Sequence, residues 1–177
     1  MREIELKFKV DNLSKIVNYL KSIHCSISEQ IIQSDSIFVE NLDNTKSSEG
    51  SIWLRIRKTN DKVELNYKKQ SAQKMESEEI EFEVSSFEKA NAFLEALGFK
   101  KWVQVNKKRR YTKYKDCNIC LDQVERLGDF VELEFLVDSN DNINYEEKLL
   151  SIAKELNIDI NNRIDSHYDT MISKLKD

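Results

Sequence analysis

Charged and apolar residues alternate along the first segment of the chain, and this alternation restricts the fold more than any other feature. Side chains alternate between the two faces of a strand, so Glu3, Glu5, Lys7 and Lys9 share one face and the apolar residues between them share the other. The pattern returns later at Arg55/Arg57, Glu79/Glu81/Glu83, Lys107/Arg109 and Glu132/Glu134. It predicts a sheet that carries both signs of charge on one face.

The order of segments predicts eight strands, with helices inserted after the first and the fifth. The strands are predicted at 2–10, 27–39, 51–58, 62–69, 78–84, 100–114 (one long strand or a bent pair), 119–125 and 129–137. Asn12 or Asp11 caps the first inserted helix, Ser86 caps the second, and Gly98 ends it. Two more helices are predicted at 145–156 and 164–175, and polar loops at 41–51 and 70–77.

An antiparallel sheet with helices outside it, an α+β fold, is the expected arrangement of these segments. Two versions satisfy the charged alternation: an open sheet whose charged face meets water, or a closed eight-stranded barrel with the charges inside. Like charges about 4 Å apart repel by roughly 4 kcal/mol at an effective dielectric constant of about 20. A closed interior would therefore need water, or bound cations and anions, and the alternation alone leaves both versions open.

Composition limits the classes of function. A chain of 177 residues is predicted to form a single domain over residues 1–177. A net charge of −4 argues against a nucleic-acid partner that is held by global positive charge. The longest apolar runs are too short for a membrane span, and the charged N-terminal segment predicts a cytoplasmic protein.

Three cysteines fit a reducing compartment. Cys117 and Cys120 should point to opposite faces of a strand, which disfavours a zinc site.

The residue types on the charged face point to polyphosphate chemistry. Alternate arginines, as at Arg55 and Arg57, present planar guanidinium groups that suit phosphate oxygens. Paired carboxylates two residues apart, as in Glu3 and Glu5, offer the oxygen ligands that Mg²⁺ prefers. A metal site beside a basic cluster is what a triphosphate substrate requires.

The order of these motifs over residues 3–134 resembles a known family. The matching elements are Glu3-x-Glu5-x-Lys7, Leu54-Arg55-Ile56-Arg57, Tyr67-Lys68, Glu79-x-Glu81, Lys107-x-Arg109, Leu121-Asp122 and the run from Leu127 to Glu134. Together they resemble the CYTH superfamily of triphosphate tunnel metalloenzymes, whose name joins bacterial class IV adenylyl cyclases with mammalian thiamine triphosphatase. Residues 166–169 are similar to the family's closing helix.

This resemblance implies an eight-stranded antiparallel tunnel with helices packed outside, and it assigns roles by position. The implied ligands of Mg²⁺ or Mn²⁺ are Glu3, Glu5, Glu132 and Glu134, with Asp122 at or near the metal. The implied phosphate contacts are Lys7, Arg55, Arg57, Lys68, Lys107 and Arg109. Glu79 and Glu81 would hold and orient the basic groups, and Lys7 or Asp122 would help to move a proton.

The function implied by the resemblance is that of a class IV adenylyl cyclase, which converts ATP into cyclic AMP and pyrophosphate. The alternatives are a triphosphatase that hydrolyses inorganic tripolyphosphate, a nucleoside triphosphate or thiamine triphosphate, and a non-catalytic module that binds polyphosphate or nucleotides. One departure is Ile37, which stands where the family often has tyrosine, and it disfavours a mechanism like that of thiamine triphosphatase. Family members often pair, so a homodimer is possible, and neither a nucleic acid nor a membrane is expected as a partner.

Overall fold

A computed structural model describes residues 2–42, 52–70, 77–137 and 143–175. The strands in these ranges are β1 (Arg2–Val10), β2 (Ile31–Val39), β3 (Ile52–Thr59), β4 (Lys62–Gln70), β5 (Ser77–Glu83), β6 (Lys100–Tyr114), β7 (Cys117–Val124), β8 (Gly128–Val137) and β9 (Arg163–Ile164). The helices are α1 (Leu13–Ser22), α2 (Phe87–Ala96), α3 (Tyr145–Glu155) and α4 (Tyr168–Ser173), with a 3₁₀ turn at Ile160–Asn162. In these residues no helix is long and apolar enough to cross a membrane.

The strands form one antiparallel sheet in the order β5-β4-β3-β2-β6-β7-β8-β1-β9. The expected α+β architecture is confirmed, and each of the eight predicted strands is present. The addition is β9, a two-residue strand that pairs with β1 through Lys7 and Phe8. The hydrogen-bonded order of the described strands has two ends, at β5 and at β9.

Two predicted boundaries change, and one open alternative is settled. The second strand begins at Ile31 rather than at residue 27, because Ser26 and Ser28 instead hydrogen-bond to single residues of β6. The segment at 100–114 is one continuous strand. The last predicted helix was wrong over its first residues, because residues 163–164 pair with β1 and the helix begins only at Tyr168. The central parts of both predicted loops, 43–51 and 71–76, lie outside the described residues.

The chain divides into two compact units, and the first contains residues 1–31 and 107–166. Its core lies under α1 and α3, which cover the apolar face of β1, β7 and β8 with residues such as Leu20 and Leu149. Burying a leucine side chain completely stabilises the folded state by roughly 1.5–3 kcal/mol. Asp129 also stabilises the start of α1, because its carboxylate accepts a hydrogen bond from the Leu13 backbone N–H at 3.1 Å. Since the helices cover one face of these strands, the charged residues occupy the other.

The second unit contains residues 32–106 and 167–177. Helix α2 packs on the face of β3 that carries Ile56, and Leu65 and Leu94 belong to the same buried cluster. Ser86 caps α2 by accepting a hydrogen bond from the Lys89 backbone N–H, and the helix is followed by Gly98 at a φ of 91°. As in the first unit, burying one face leaves the alternate residues of β2, β3 and β4 on the opposite face.

Candidate functional site

Strand register gathers the charged residues of the first unit on one face. In an antiparallel pair, directly opposite residues point to the same side and their side chains are close neighbours. The opposite pairs are Lys7 with Glu132, Glu5 with Glu134, and Arg109 with Asp122. Lys107 lies two residues from Arg109 on β6 and shares this face. We refer to these residues as the charged face of the first unit.

Arg109 is the centre of a buried network of charges. Its Nε donates to Asp122 Oδ1 at 2.6 Å, and its Nη2 donates to both Asp122 and Glu132. Asp122 is fully buried, and Arg109 and Glu132 are each 8% exposed. Burial alone would lower the pKa of Arg109, but its bonds to the two carboxylates outweigh burial and raise it. Asp122, expected at or near the metal, lies here as the two-point partner of Arg109.

Lys7 is enclosed by carboxylates. Its Nζ lies 3.2 Å from Glu132 Oε1 and 3.4 Å from Glu5 Oε1, and the residue is buried. Burial alone would lower the pKa of Lys7, but the neighbouring charges of Glu5 and Glu132 raise it above its ordinary value. Lys7 is therefore an ammonium ion at neutral pH, which suits it to bind a phosphate.

Glu132 lies between Lys7 and Arg109 and forms an ion pair with each of them. Burial alone would raise the pKa of its carboxyl group, but Arg109, Lys7 and Lys107 outweigh burial and hold the pKa below its ordinary value. Lys107 is itself buried on the same face. The charged face therefore keeps Glu132 ionised well into the acidic range.

We expect the free energy of unfolding to fall as the pH drops below about 4.3, the ordinary pKa of glutamate. A depressed pKa in the folded state gives stability that is complete above the unfolded pKa and is lost as the pH falls through the folded pKa. Glu132→Gln removes this ionisation, so its unfolding free energy should decline less steeply between about pH 5 and pH 3. Urea unfolding at several pH values measures the slope.

The exposed Glu29 supplies the control for this titration. Glu29→Gln should keep the wild-type pH dependence. A decline in Glu132→Gln that is as steep as in the wild type would show that Glu132 does not carry the effect.

The carboxylates best suited to a metal are Glu5 and Glu134. They lie directly opposite each other on β1 and β8, the first exposed and the second half-buried, and the exposed Glu3 lies two residues before Glu5 on β1. Facing carboxylates repel each other, and a divalent cation bound by both would relieve that repulsion. No set of three or more acidic, histidine or cysteine side chains comes close enough to hold a metal in the described residues. A two-carboxylate pair still fits Mg²⁺ chemically, because Mg²⁺ commonly takes its other ligands from phosphates and water.

The second unit also carries charged residues on the face opposite its core. Arg57 forms two hydrogen bonds of 2.7 Å with the carboxylate of Asp35, which is 4% exposed. Arg55 lies beside Asn66 in the β3–β4 register, and its Nη2 is 3.9 Å from Glu81 Oε2. Asn66 also donates to Glu81 at 3.1 Å. The structure thus gives each arginine of the motif an acidic partner.

Two predicted residues lie further along this unit. Lys68 is half-buried and stands opposite Trp53 on β3 and Glu79 on β5. For Glu79 only the backbone is described, so its side chain and the predicted orienting role lie outside the described part of the chain.

The roles of Asp35 and Asn66 were missed at the level of sequence. Both are polar residues in otherwise strand-like segments, and they alternate with the apolar residues that face α2. That alternation was the available signal. Its meaning depended on cross-strand register, which places Asp35 opposite Arg57 and Asn66 opposite Arg55.

The two cysteines of the C-x-x-C segment lie on different faces of β7. Cys117 belongs to the apolar core, whereas Cys120 stands opposite Glu132. Burial raises the pKa of both thiols to about 12. Both are therefore neutral thiols at neutral pH.

Comparisons with known proteins relate this chain to one family. A family model described as CYTH domain matches residues 1–168. A protein of Methanocaldococcus jannaschii, provisionally named an adenylate cyclase, is 33% identical over 171 residues, which cover 95% of this chain and 97% of that protein.

Solved structures share the fold, and two of them illustrate the likeness to this chain. A conserved hypothetical protein from Pyrococcus furiosus has a TM-score of 0.79 and 29% identity, covering 95% of this chain and 98% of its own. A Hippeastrum protein, provisionally named an adenylyl cyclase and described as having a dominant triphosphatase activity, has a TM-score of 0.63 and 15% identity, covering 98% and 95%. At that identity the second likeness shows the fold alone.

Proposed function

The chain belongs to the CYTH domain family, and on this premise we propose that it is a metal-dependent adenylyl cyclase that converts ATP into cyclic AMP and pyrophosphate. The observation that carries the proposal is the charged face of the first unit. Three buried cations, Lys7, Lys107 and Arg109, lie there beside the carboxylate pair of Glu5 and Glu134. Cations held in place before the substrate arrives are an effective way to stabilise charge on phosphates.

The cations of the charged face are the proposed phosphate contacts. Lys7 and Lys107 each carry a compact charge, and Arg109 offers the remainder of its planar guanidinium group. Their carboxylate partners hold them in position, so little reorganisation is needed on binding. The family resemblance assigns phosphate contacts to Arg55, Arg57 and Lys68 of the second unit as well.

A divalent cation would be held by Glu5 and Glu134, with Glu3 in reach along β1, and would supply Lewis-acid polarisation of the reacting phosphate. The pKa of Lys7 is raised, so its ammonium group stays charged. It would neutralise the negative charge that develops on the departing pyrophosphate. Asp122 would act by positioning Arg109, since both of its carboxylate oxygens accept hydrogen bonds from that guanidinium. Glu132 would hold Lys7 and Arg109 in position, because its carboxylate forms an ion pair with each of them.

A triphosphatase is the second candidate, because the same face would serve with water as the nucleophile in place of the ribose hydroxyl. The Hippeastrum protein of this fold is described as having a dominant triphosphatase activity. The two reactions differ in the phosphorus atom that is attacked and share the proposed binding residues.

Product analysis separates the candidates. The protein is incubated with ATP, and separately with tripolyphosphate, in Mg²⁺ or Mn²⁺, and the products are resolved by chromatography. We expect cyclic AMP and pyrophosphate from ATP. Release of orthophosphate without cyclic AMP would contradict the cyclase proposal and support the triphosphatase. Binding without turnover of either compound would identify a non-catalytic module.

A further inference from the structure

Tyr111 is an aromatic residue that lies on the charged face and remains open to solvent. It is 41% exposed, whereas Arg109, two residues earlier on β6, is 8% exposed. The guanidinium carbon of Arg109 lies 5.8 Å from the centroid of the Tyr111 ring, within the range of a cation–π contact. The ring therefore shares the face of the buried network without belonging to a core.

Register gives the position of the ring relative to the cations. Tyr111 stands directly opposite Cys120, Cys120 opposite Glu132, and Glu132 opposite Lys7. Neighbouring strands lie about 4.8 Å apart. Tyr111 on β6 is therefore two strands away from Glu132 on β8 and three strands away from Lys7 on β1. An exposed ring at this distance is at the margin of the proposed phosphate contacts.

The backbone beneath the ring is fixed. The Tyr111 N–H donates to Ser28 Oγ at 2.8 Å, and the Tyr111 carbonyl accepts from the Ser28 N–H at 2.8 Å. The opposite edge of β6 pairs with β7. With its backbone held on both edges and its ring against Arg109, Tyr111 loses little conformational freedom when a ligand binds.

We infer that Tyr111 is the platform on which the base of a nucleoside triphosphate stacks, an inference that rests on the proposed function of the charged face. A flat, exposed ring beside phosphate-binding cations matches a molecule that joins a flat base to a chain of phosphates. Asn118 lies diagonally opposite on β7, on the same face, with an amide that can meet the edge of a base. Tripolyphosphate lacks the base, so Tyr111 distinguishes nucleotides from inorganic polyphosphate.

The test compares the two ligands by isothermal titration calorimetry in Mg²⁺. In Tyr111→Leu, which removes the ring, we expect the ATP dissociation constant to rise about 5- to 150-fold, the range that base–aromatic stacking gives. The tripolyphosphate dissociation constant should stay within about twofold of the wild type. Tyr111→Phe and Tyr111→Trp keep a ring and should bind ATP nearly as the wild type does.

The matched control is Tyr114→Leu, on the opposite face of the same strand. It should leave both dissociation constants unchanged. Equal weakening of ATP and tripolyphosphate by Tyr111→Leu would overturn the inference, because the ring would then act through Arg109. Unchanged ATP affinity would overturn it as well. A wild-type protein that binds neither compound would refute the proposed function together with the inference, whereas the other failures leave the proposed function standing.

Discussion

Replacing Arg109 with leucine will lower the free energy of unfolding by about 3–5 kcal/mol, the range for removing one partner of a buried ion pair. The variant leaves Asp122, which is fully buried, without the guanidinium that binds both of its oxygens. Glu132 still has Lys7 at 3.2 Å, so most of the cost arises at Asp122. Urea unfolding at neutral pH measures the loss.

Arg110→Leu is the matched control, because Arg110 is the next residue on β6 and points to the other face. It should change the free energy of unfolding by less than about 1 kcal/mol. The double variant Arg109→Leu/Asp122→Leu should recover most of the lost stability, since an apolar pair often replaces a buried ion pair without cost. If Arg109→Leu alone proves as stable as the control, the buried ion pair between Arg109 and Asp122 does not stabilise the folded state.

Glu5→Gln and Glu134→Gln will each lower metal-dependent turnover about 100-fold or more. A metal that polarises a phosphate contributes several kcal/mol to the stabilisation of the transition state, and about 1.4 kcal/mol corresponds to tenfold in rate. Glutamine keeps the size of the side chain but removes the charge that attracts a divalent cation. Initial rates with ATP at increasing Mn²⁺ concentration measure the effect, and Mn²⁺ binding by electron paramagnetic resonance gives a readout that is independent of turnover.

Glu29→Gln, at an exposed position, should retain the wild-type rate and Mn²⁺ affinity. Both test variants should unfold within about 1 kcal/mol of the wild type, because Glu5 is exposed and Glu134 is only half-buried. Full metal-dependent activity in both variants would refute the assignment of the metal to this pair.

The hairpin between β6 and β7 shows how far sequence reasoning reaches. Alternation placed Lys107 and Arg109 on one face, and the structure has both buried there. The pairing of Arg109 with Asp122 depends on register, which is set by the turn at Lys115, whose φ is 53°. The sequence prediction started the returning strand at residue 119 rather than at Cys117. A register shifted by one residue would turn every side chain to the other face, so partners across the hairpin could not be assigned from sequence.

The helix prediction for the C-terminal segment was wrong over its first residues for a related reason. Residues 163–164 sit at the start of a segment with helical spacing, and a helix was predicted over 164–175. Pairing with Lys7 and Phe8 of β1 overrides that local preference. Such a contact joins residues more than 150 positions apart, and no local pattern reports it.

The amino-acid sequence by itself determined which residues share the charged face, because a strand has a period of two and its apolar residues must be buried. The order of strands and helices determined the α+β class, and the resemblance of the motifs to a known family made Lys7, Arg109 and Glu132 site candidates. Tertiary structure alone decided the partners: Asp122 with Arg109 and Lys7 between Glu5 and Glu132. It also left Tyr111 exposed beside them. Ionic partners act over a few ångströms across strands, so they follow from register and not from spacing along the chain.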